Sequence, residues 1–344
     1  MTITTMTMRT MRTMRMGVRS SVRQGVCGVV VALAGFVPSA ALAQDWTTPR
    51  TPWGDPDLQG VFTNKDEANT PLERPDGFEG RKVSEVSPRE LADLVRNRQV
   101  QHDELAPTLG GAETGAGPIH WFETFQTTST LPWLVIDPPD GKIPPMTPEA
   151  QARERAVARL TEVQNGQGRA DSFEDRSMYD RCITRGLPQS MMPAIYGNAY
   201  QILQSPGFVA IRYEMIHETR IIPLDGRDRI GDDIRLYVGD ARGRWEGDTL
   251  VVDTTNFTNR THFGYNNRYN SERLHLTERF TRVSPETVRW EVTVEDPQTY
   301  TGPWTFAMPL TQDESQPVFE YACHEGNYGL SNLLSAARAQ EAGR

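Results

Sequence analysis

Between residues 288 and 295 the chain reads Val-Arg-Trp-Glu-Val-Thr-Val-Glu, apolar and polar in strict alternation. Successive side chains of a strand point to opposite faces, so this stretch predicts a half-buried strand with Val288, Trp290, Val292 and Val294 inside. Ser284-Pro285-Glu286 turns it back onto a strand at 274–283, and 301–310 supplies the next. Upstream, 208–215, 221–224, 234–238 and 249–257 read as further strands, with turns at 239–243 and 246–248. Downstream, 318–323 reads as a last strand before a C-terminal helix at 330–342. About nine short strands between Tyr200 and Tyr321, with few helical interruptions, predict a mainly β protein whose antiparallel meander closes into a barrel.

Ahead of the meander the texture is different. Pro49, Pro52, Pro56, Pro71 and Pro75 stud the stretch 44–80, and each biases its predecessor towards extended backbone. Trp46, Trp53, Leu58, Val61 and Phe62 anchor it, so an extended segment lying across the barrel is expected. Ser87-Pro88-Arg89-Glu90 carries an N-cap, a first-position proline and a capping-box glutamate, predicting a helix to about His102. Residues 131–136 read as a short strand, and the Asp137-Pro-Pro-Asp-Gly141 that follows is turn chemistry. Thr147-Pro148-Glu149 opens a second helix ending near Gly166, and Ser172 with Asp175 opens a third ending near Gly186. The expected organisation is a wrapping segment at 44–199 and a barrel with its C-terminal helix at 200–344, together one structural domain.

The first 43 residues carry five arginines and no acid, then a small apolar run from Val26 to Val37, then Ala41-Leu42-Ala43. That is the layout of a cleaved export signal, predicting a mature start at Gln44 and a periplasmic or secreted product. The competing reading is a retained anchor, but the run is short for a span of about 20 residues, so no stable membrane insertion is expected. Loss of the five arginines takes the formal net charge from −9 to −14. An acidic surface of that size repels phosphates, which excludes nucleic acid as an expected partner. Cys182 and Cys323 remain after cleavage, and an oxidising compartment favours one disulfide between them over two separate buried thiols. Nothing in the sequence fixes an oligomeric state.

Five strings stand out: Thr51-Pro-Trp-Gly-Asp-Pro-Asp-Leu-Gln-Gly60, Asp137-Pro-Pro-Asp-Gly-Lys-Ile-Pro-Pro145, Arg181-Cys-Ile183 with Gly186-Leu-Pro188, Arg242-Gly-Arg-Trp-Glu-Gly-Asp-Thr-Leu-Val-Val-Asp-Thr-Thr-Asn-Phe257, and Tyr321-Ala-Cys-His-Glu-Gly-Asn-Tyr328. Over nearly the whole mature chain they resemble a widespread group of exported bacterial proteins. General similarity implies a lipocalin-like barrel with a few covering helices. The resemblance carries over no catalytic residue, and a fold would not supply one.

Candidate chemistry therefore rests on side chains that break the apolar pattern. His217 follows Val209, Ile211, Tyr213 and Met215 at even spacing, so an uninterrupted strand would place it inside as a general base, with Tyr213 beside the ligand. Glu278 shares the apolar face of Leu276 and Phe280, where a carboxyl group must be paired or held protonated, and a raised pKa would suit a general acid. If that face points outward, His275 replaces it. His324, Asn327 and Tyr328 crowd a corner that a Cys182–Cys323 bond would make rigid, suiting them to orient a substrate or stabilise charge. Trp121 and Trp290 lead the aromatic side chains expected to line a pocket. Each of these groups also has a purely structural alternative: a core hydrogen bond, a cap, or packing.

Serine-hydrolase, P-loop and Rossmann signatures are absent, and no His or Cys spacing supports a metal site, so neither cofactor nor metal is expected. The leading expectation is a cofactor-independent lyase, hydratase or isomerase. His217, Glu278, His324 and Tyr328 would act on a hydrophobic or aromatic small molecule. A non-catalytic binder of such a ligand and a structural envelope protein are the alternatives.

Overall fold

Seven of the expected strand regions do form strands, and the ladder they build is long. The computed structural model describes residues 46–109, 129–161, 170–194, 196–263, 268–315 and 317–343. The strands, in chain order, are β1 (Gly60–Thr63), β2 (Val135–Asp137), β3 (Ala199–Ser205), β4 (Phe208–Tyr213), β5 (Thr219–Pro223), β6 (Asp240–Glu246), β7 (Thr249–Thr255), β8 (His262–Phe263), β9 (Arg268–Tyr269), β10 (His275–Ser284), β11 (Thr287–Glu295) and β12 (Trp304–Gln312). The helices are α1 (Pro88–Leu109), α2 (Pro148–Thr161) and α3 (Tyr328–Ala342). The described residues from Trp46 onward belong to one compact unit.

Pairing is antiparallel throughout the main sheet, in the order β5-β4-β3-β1-β12-β11-β10-β7-β6, with β2 on β12 beyond β1. The path is nearly a closed barrel. At the remaining seam β6 approaches β5 without a ladder: a Cβ on Gly243 would come within 2.6 Å of Leu224 and 2.8 Å of Ile222. Glycine there lets the two edges meet, which protects them from other chains. The fold is thus mainly β, as the alternation predicts.

The register puts the expected side chains inside. Glu278 faces Val292 across β10 and β11, Phe280 faces Trp290, and Val294 faces Trp304 across β11 and β12. Val209, Ile211 and Tyr213 of β4, Leu250 and Val252 of β7, and Phe306, Met308 and Leu310 of β12 complete one buried core. Trp290 sits at its centre, stacked on Phe280 at 6.3 Å and edge-on to Phe306 at 5.4 Å.

Several boundaries differ from the sequence reading, each for a local reason. Residues 234–238 do not form a strand, because Asn256, with φ 60, clamps the carbonyls of Gly231 and Ile234 through its side-chain amide at 3.1 Å each. The turn expected at 239–243 lies earlier, at Tyr237 and Val238, and after Gly239, at φ 68, the strand begins at once with Asp240. Residues 318–323 run without strand pairing. The Ser172 capping box forms, but the helix stops after one turn, Phe173–Asp175. Helix α1 starts at Pro88 under the Ser87–Glu90 box, at 2.9 and 3.3 Å, and continues past His102. The segment expected to wrap the barrel also contributes to it: β1 lies between β3 and β12, with Phe62 opposite Tyr200 and Gln312. The expected helix end near Gly166 lies outside the described residues.

Candidate functional site

Of the residues singled out above, Glu278, Trp290 and Tyr213 are in the barrel core. Strand β10 carries Glu278 inward, where its side chain is 0% exposed. Its partner is Arg220 of β5, itself 3% exposed. The guanidinium grips the carboxylate in two-pronged fashion, Nη1 on Oε2 and Nη2 on Oε1 at 3.1 Å, while the Trp290 indole N–H donates to Oε1 at 3.2 Å. Burial alone would lower the Arg220 pKa, but the Glu278 charge beside it raises it above the usual arginine value. Both oxygens of Glu278 are therefore engaged as acceptors by Arg220 and Trp290. Tyr213 lies alongside, its phenol pushed up chiefly by burial, and its hydroxyl has no hydrogen-bond partner among the described residues.

Arg220 was missing from the sequence reading. A signal existed: a carboxylate on an apolar face demands a cation, and Arg220 stands two places before the inward Ile222.

The remaining predicted residues lie elsewhere. His217 is not the continuation of β4: that strand ends at Tyr213, and Met215–His217 form a 3₁₀ turn with Ile216 at φ 62. Positive φ at a β-branched residue breaks the even spacing on which the inward placement depended. The side chain of His217, and all of Trp121, fall outside the described residues. His324 is exposed in a turn, and Tyr328 is 74% exposed at the start of α3. Asn327 donates to the Asp180 carbonyl and to Cys182 Sγ, both at 3.3 Å. The structure thus separates His324 and Tyr328, on the surface, from Glu278, Trp290 and Tyr213 in the core. His275 faces outward, between Asp253 at 3.2 Å and Glu295 at 2.9 Å. Among the described residues no group of three His, Cys, Asp or Glu side chains is placed to hold a metal ion.

Among the described residues, two further places outside that core pair bear on function. The first is a small, partly open cleft at the barrel end where β10 begins and β11 finishes, with room between its present side chains for about one water molecule. Leu187, Pro188, Leu274, Val294, Tyr269 and Tyr300 supply its apolar walls. Its polar groups are already committed. Asp296 accepts from Ser271 N at 2.8 Å, Ser271 Oγ at 2.5 Å and Thr299 Oγ1 at 2.6 Å. Asn270 accepts from Thr261 at 2.8 Å and donates to the Thr258 and Ser271 carbonyls at 2.8 and 3.1 Å. What the lining offers a guest is mostly hydrocarbon, and a guest larger than water enters only as these side chains part.

The second is the corner closed by the Cys182–Cys323 disulfide, present as the two-cysteine arithmetic implies. It joins the strings 181–188 and 321–328 and brings together Tyr179, Arg185, Tyr196 and Tyr321.

Among the described residues no helix is long and apolar enough to cross a membrane. No protein-family model, curated protein or solved structure matches this chain.

Proposed function

We propose that this chain is an exported, non-catalytic binding protein for a small hydrophobic or aromatic molecule, held in the cleft between Leu187, Leu274, Val294 and Tyr300. The observation that carries the reading is the contrast within that cleft: apolar walls, and polar groups whose bonds are spent on one another. Such a site binds by burial of apolar surface and does no proton chemistry. The signal-like first 43 residues and the resemblance to exported bacterial proteins supply the compartment in this reading. An acid–base lyase or isomerase has less support, because Glu278 is locked to Arg220 while His324 and Tyr328 lie on the surface.

Titration of mature protein with indole, followed by ¹⁵N–¹H correlation spectra, tests the proposal. Saturable shifts confined to residues around the cleft are expected. Val294→Phe, which extends a lining side chain into the space, should weaken binding by about tenfold, equivalent to roughly 1.4 kcal/mol. Overpacking also costs stability, so the variant is read only with its melting temperature alongside. Equal affinity in a folded Val294→Phe protein, or no saturation at millimolar indole, refutes the reading.

A further inference from the structure

Three tyrosines from distant parts of the chain meet beside the disulfide. Tyr179 lies just before Cys182, Tyr196 leads into β3, and Tyr321 lies just before Cys323. Tyr196 and Tyr321 stack at 6.4 Å with 26° between their planes, and the three hydroxyls hydrogen-bond to one another. The Arg185 guanidinium lies 5.9 Å from the centre of the Tyr179 ring. Its Nη1 is buried and has no hydrogen-bond partner among the described residues.

Six other described arginines bury an Nε without a partner, but Arg185 alone among them leaves a terminal nitrogen of the fork without one. Removing a guanidinium N–H from water without an acceptor costs free energy, and Arg220, 3% exposed, offsets most of that cost by placing both terminal nitrogens on Glu278. In a chain with formal net charge −9, a terminal guanidinium nitrogen that meets no carboxylate among the described residues is conspicuous. The fork of a guanidinium matches the paired oxygens of a carboxylate or phosphate. Neighbouring phenols complete the recognition, since each hydroxyl can turn from its neighbour to a stronger acceptor. Burial pushes the Tyr179 phenol up, and burial followed by the Tyr196 hydrogen bond pushes Tyr321 up to about 12, so both stay protonated donors at neutral pH. The disulfide, with Cα atoms 5.6 Å apart, ties the Tyr321 segment to the Tyr179–Arg185 segment and preorganises the group.

We propose that Arg185 and the hydroxyls of Tyr179, Tyr196 and Tyr321 form a binding site for a small oxyanion, a carboxylate or a phosphate group. It shares no lining residue with the apolar cleft and stands or falls separately from it.

The test is calorimetric or NMR titration of the disulfide-intact protein with acetate, benzoate and inorganic phosphate, at ionic strength held constant with chloride. Saturable binding of at least one anion is expected, lowered about tenfold or more by Arg185→Gln. Tyr321→Phe, which removes one donor and keeps the ring, should weaken the same anion severalfold. Benzoate bound here is retained in Val294→Phe, whereas benzoate lost in that variant and kept in Arg185→Gln belongs to the cleft and counts against this site. Phosphate alone, or the carboxylates alone, identifies the source of the oxyanion. Saturation by none of the three, or affinity unchanged in both Arg185→Gln and Tyr321→Phe, overturns the proposal.

Discussion

Replacing Glu278 by glutamine changes almost no volume and removes one charge from the barrel core. The Arg220 charge, 3% exposed, then has no counter-ion, and the glutamine amide keeps only one oxygen for the three donors that Glu278 now satisfies. Breaking a buried pair from one side costs about 3–5 kcal/mol, a large share of the roughly 5–15 kcal/mol that holds a domain folded. At about 2–4 °C per kcal/mol for a chain of this order, the melting temperature should fall by roughly 10 °C. Urea unfolding followed by tryptophan fluorescence gives the free energy directly, and an unchanged m-value shows that the transition is the same one. The double variant Glu278→Leu with Arg220→Met removes both charges and leaves only the Trp290 N–H without an acceptor, costing about 1–3 kcal/mol. It should therefore be more stable than Glu278→Gln alone. A cost below about 1 kcal/mol for Glu278→Gln, the value of a surface pair, would refute the reasoning. So would a double variant as unstable as the sum of its singles.

Further expectations concern ionisation and the covalent frame. The Tyr321 phenol, raised to about 12, favours the folded state fully below its ordinary value near 10 and loses that contribution as pH rises through about 12. Since Arg185 lowers it, Arg185→Gln should move the ultraviolet titration midpoint of Tyr321 higher still; a midpoint that falls or stays fixed contradicts the geometry. Burial alone would raise the Asp253 carboxyl, but hydrogen bonds from Arg244 and His275 hold it below the usual value. Its contribution is complete above the unfolded carboxylate pKa and disappears as pH falls through the folded one, and Arg244→Gln should raise its ¹³C-detected midpoint. Intact mass should show a chain beginning at Gln44 with one disulfide. In the chain-entropy model that bond, spanning 141 positions, contributes about 5 kcal/mol, so Cys182→Ala with Cys323→Ala should lower the urea midpoint markedly.

Much of the barrel was legible because its strands are half buried. Alternation at 288–295 marks the inner face residue by residue, whereas at 274–283 it separates two faces without saying which is inner, and the burial of Glu278 decides that. Strand β1 was not legible: it is short, follows a run of prolines, and is held by partners at Tyr200 and Gln312 that nothing local announces. His217 misled because even spacing persisted in the sequence beyond the point where Ile216 turns the backbone to φ 62. The two cysteines revealed the corner, but not what it gathers. Tyr179 and Tyr196 reach Tyr321 only through tertiary structure, and Arg185 becomes notable only once its missing partner is visible. Likewise the cleft is lined from loops around Leu187 and Tyr300, whose residue types alone say nothing of a cavity.

The central claim is that the cleft at the barrel mouth holds an aromatic or hydrophobic guest, and a crystal of the mature protein soaked in indole tests it most directly. The account predicts density for the ring against Leu187, Leu274, Val294 and Tyr300, with Asp296 and Asn270 keeping their present partners. Indole absent from that cleft at millimolar concentration, or bound instead against Glu278 with the Arg220 pair opened, would contradict it.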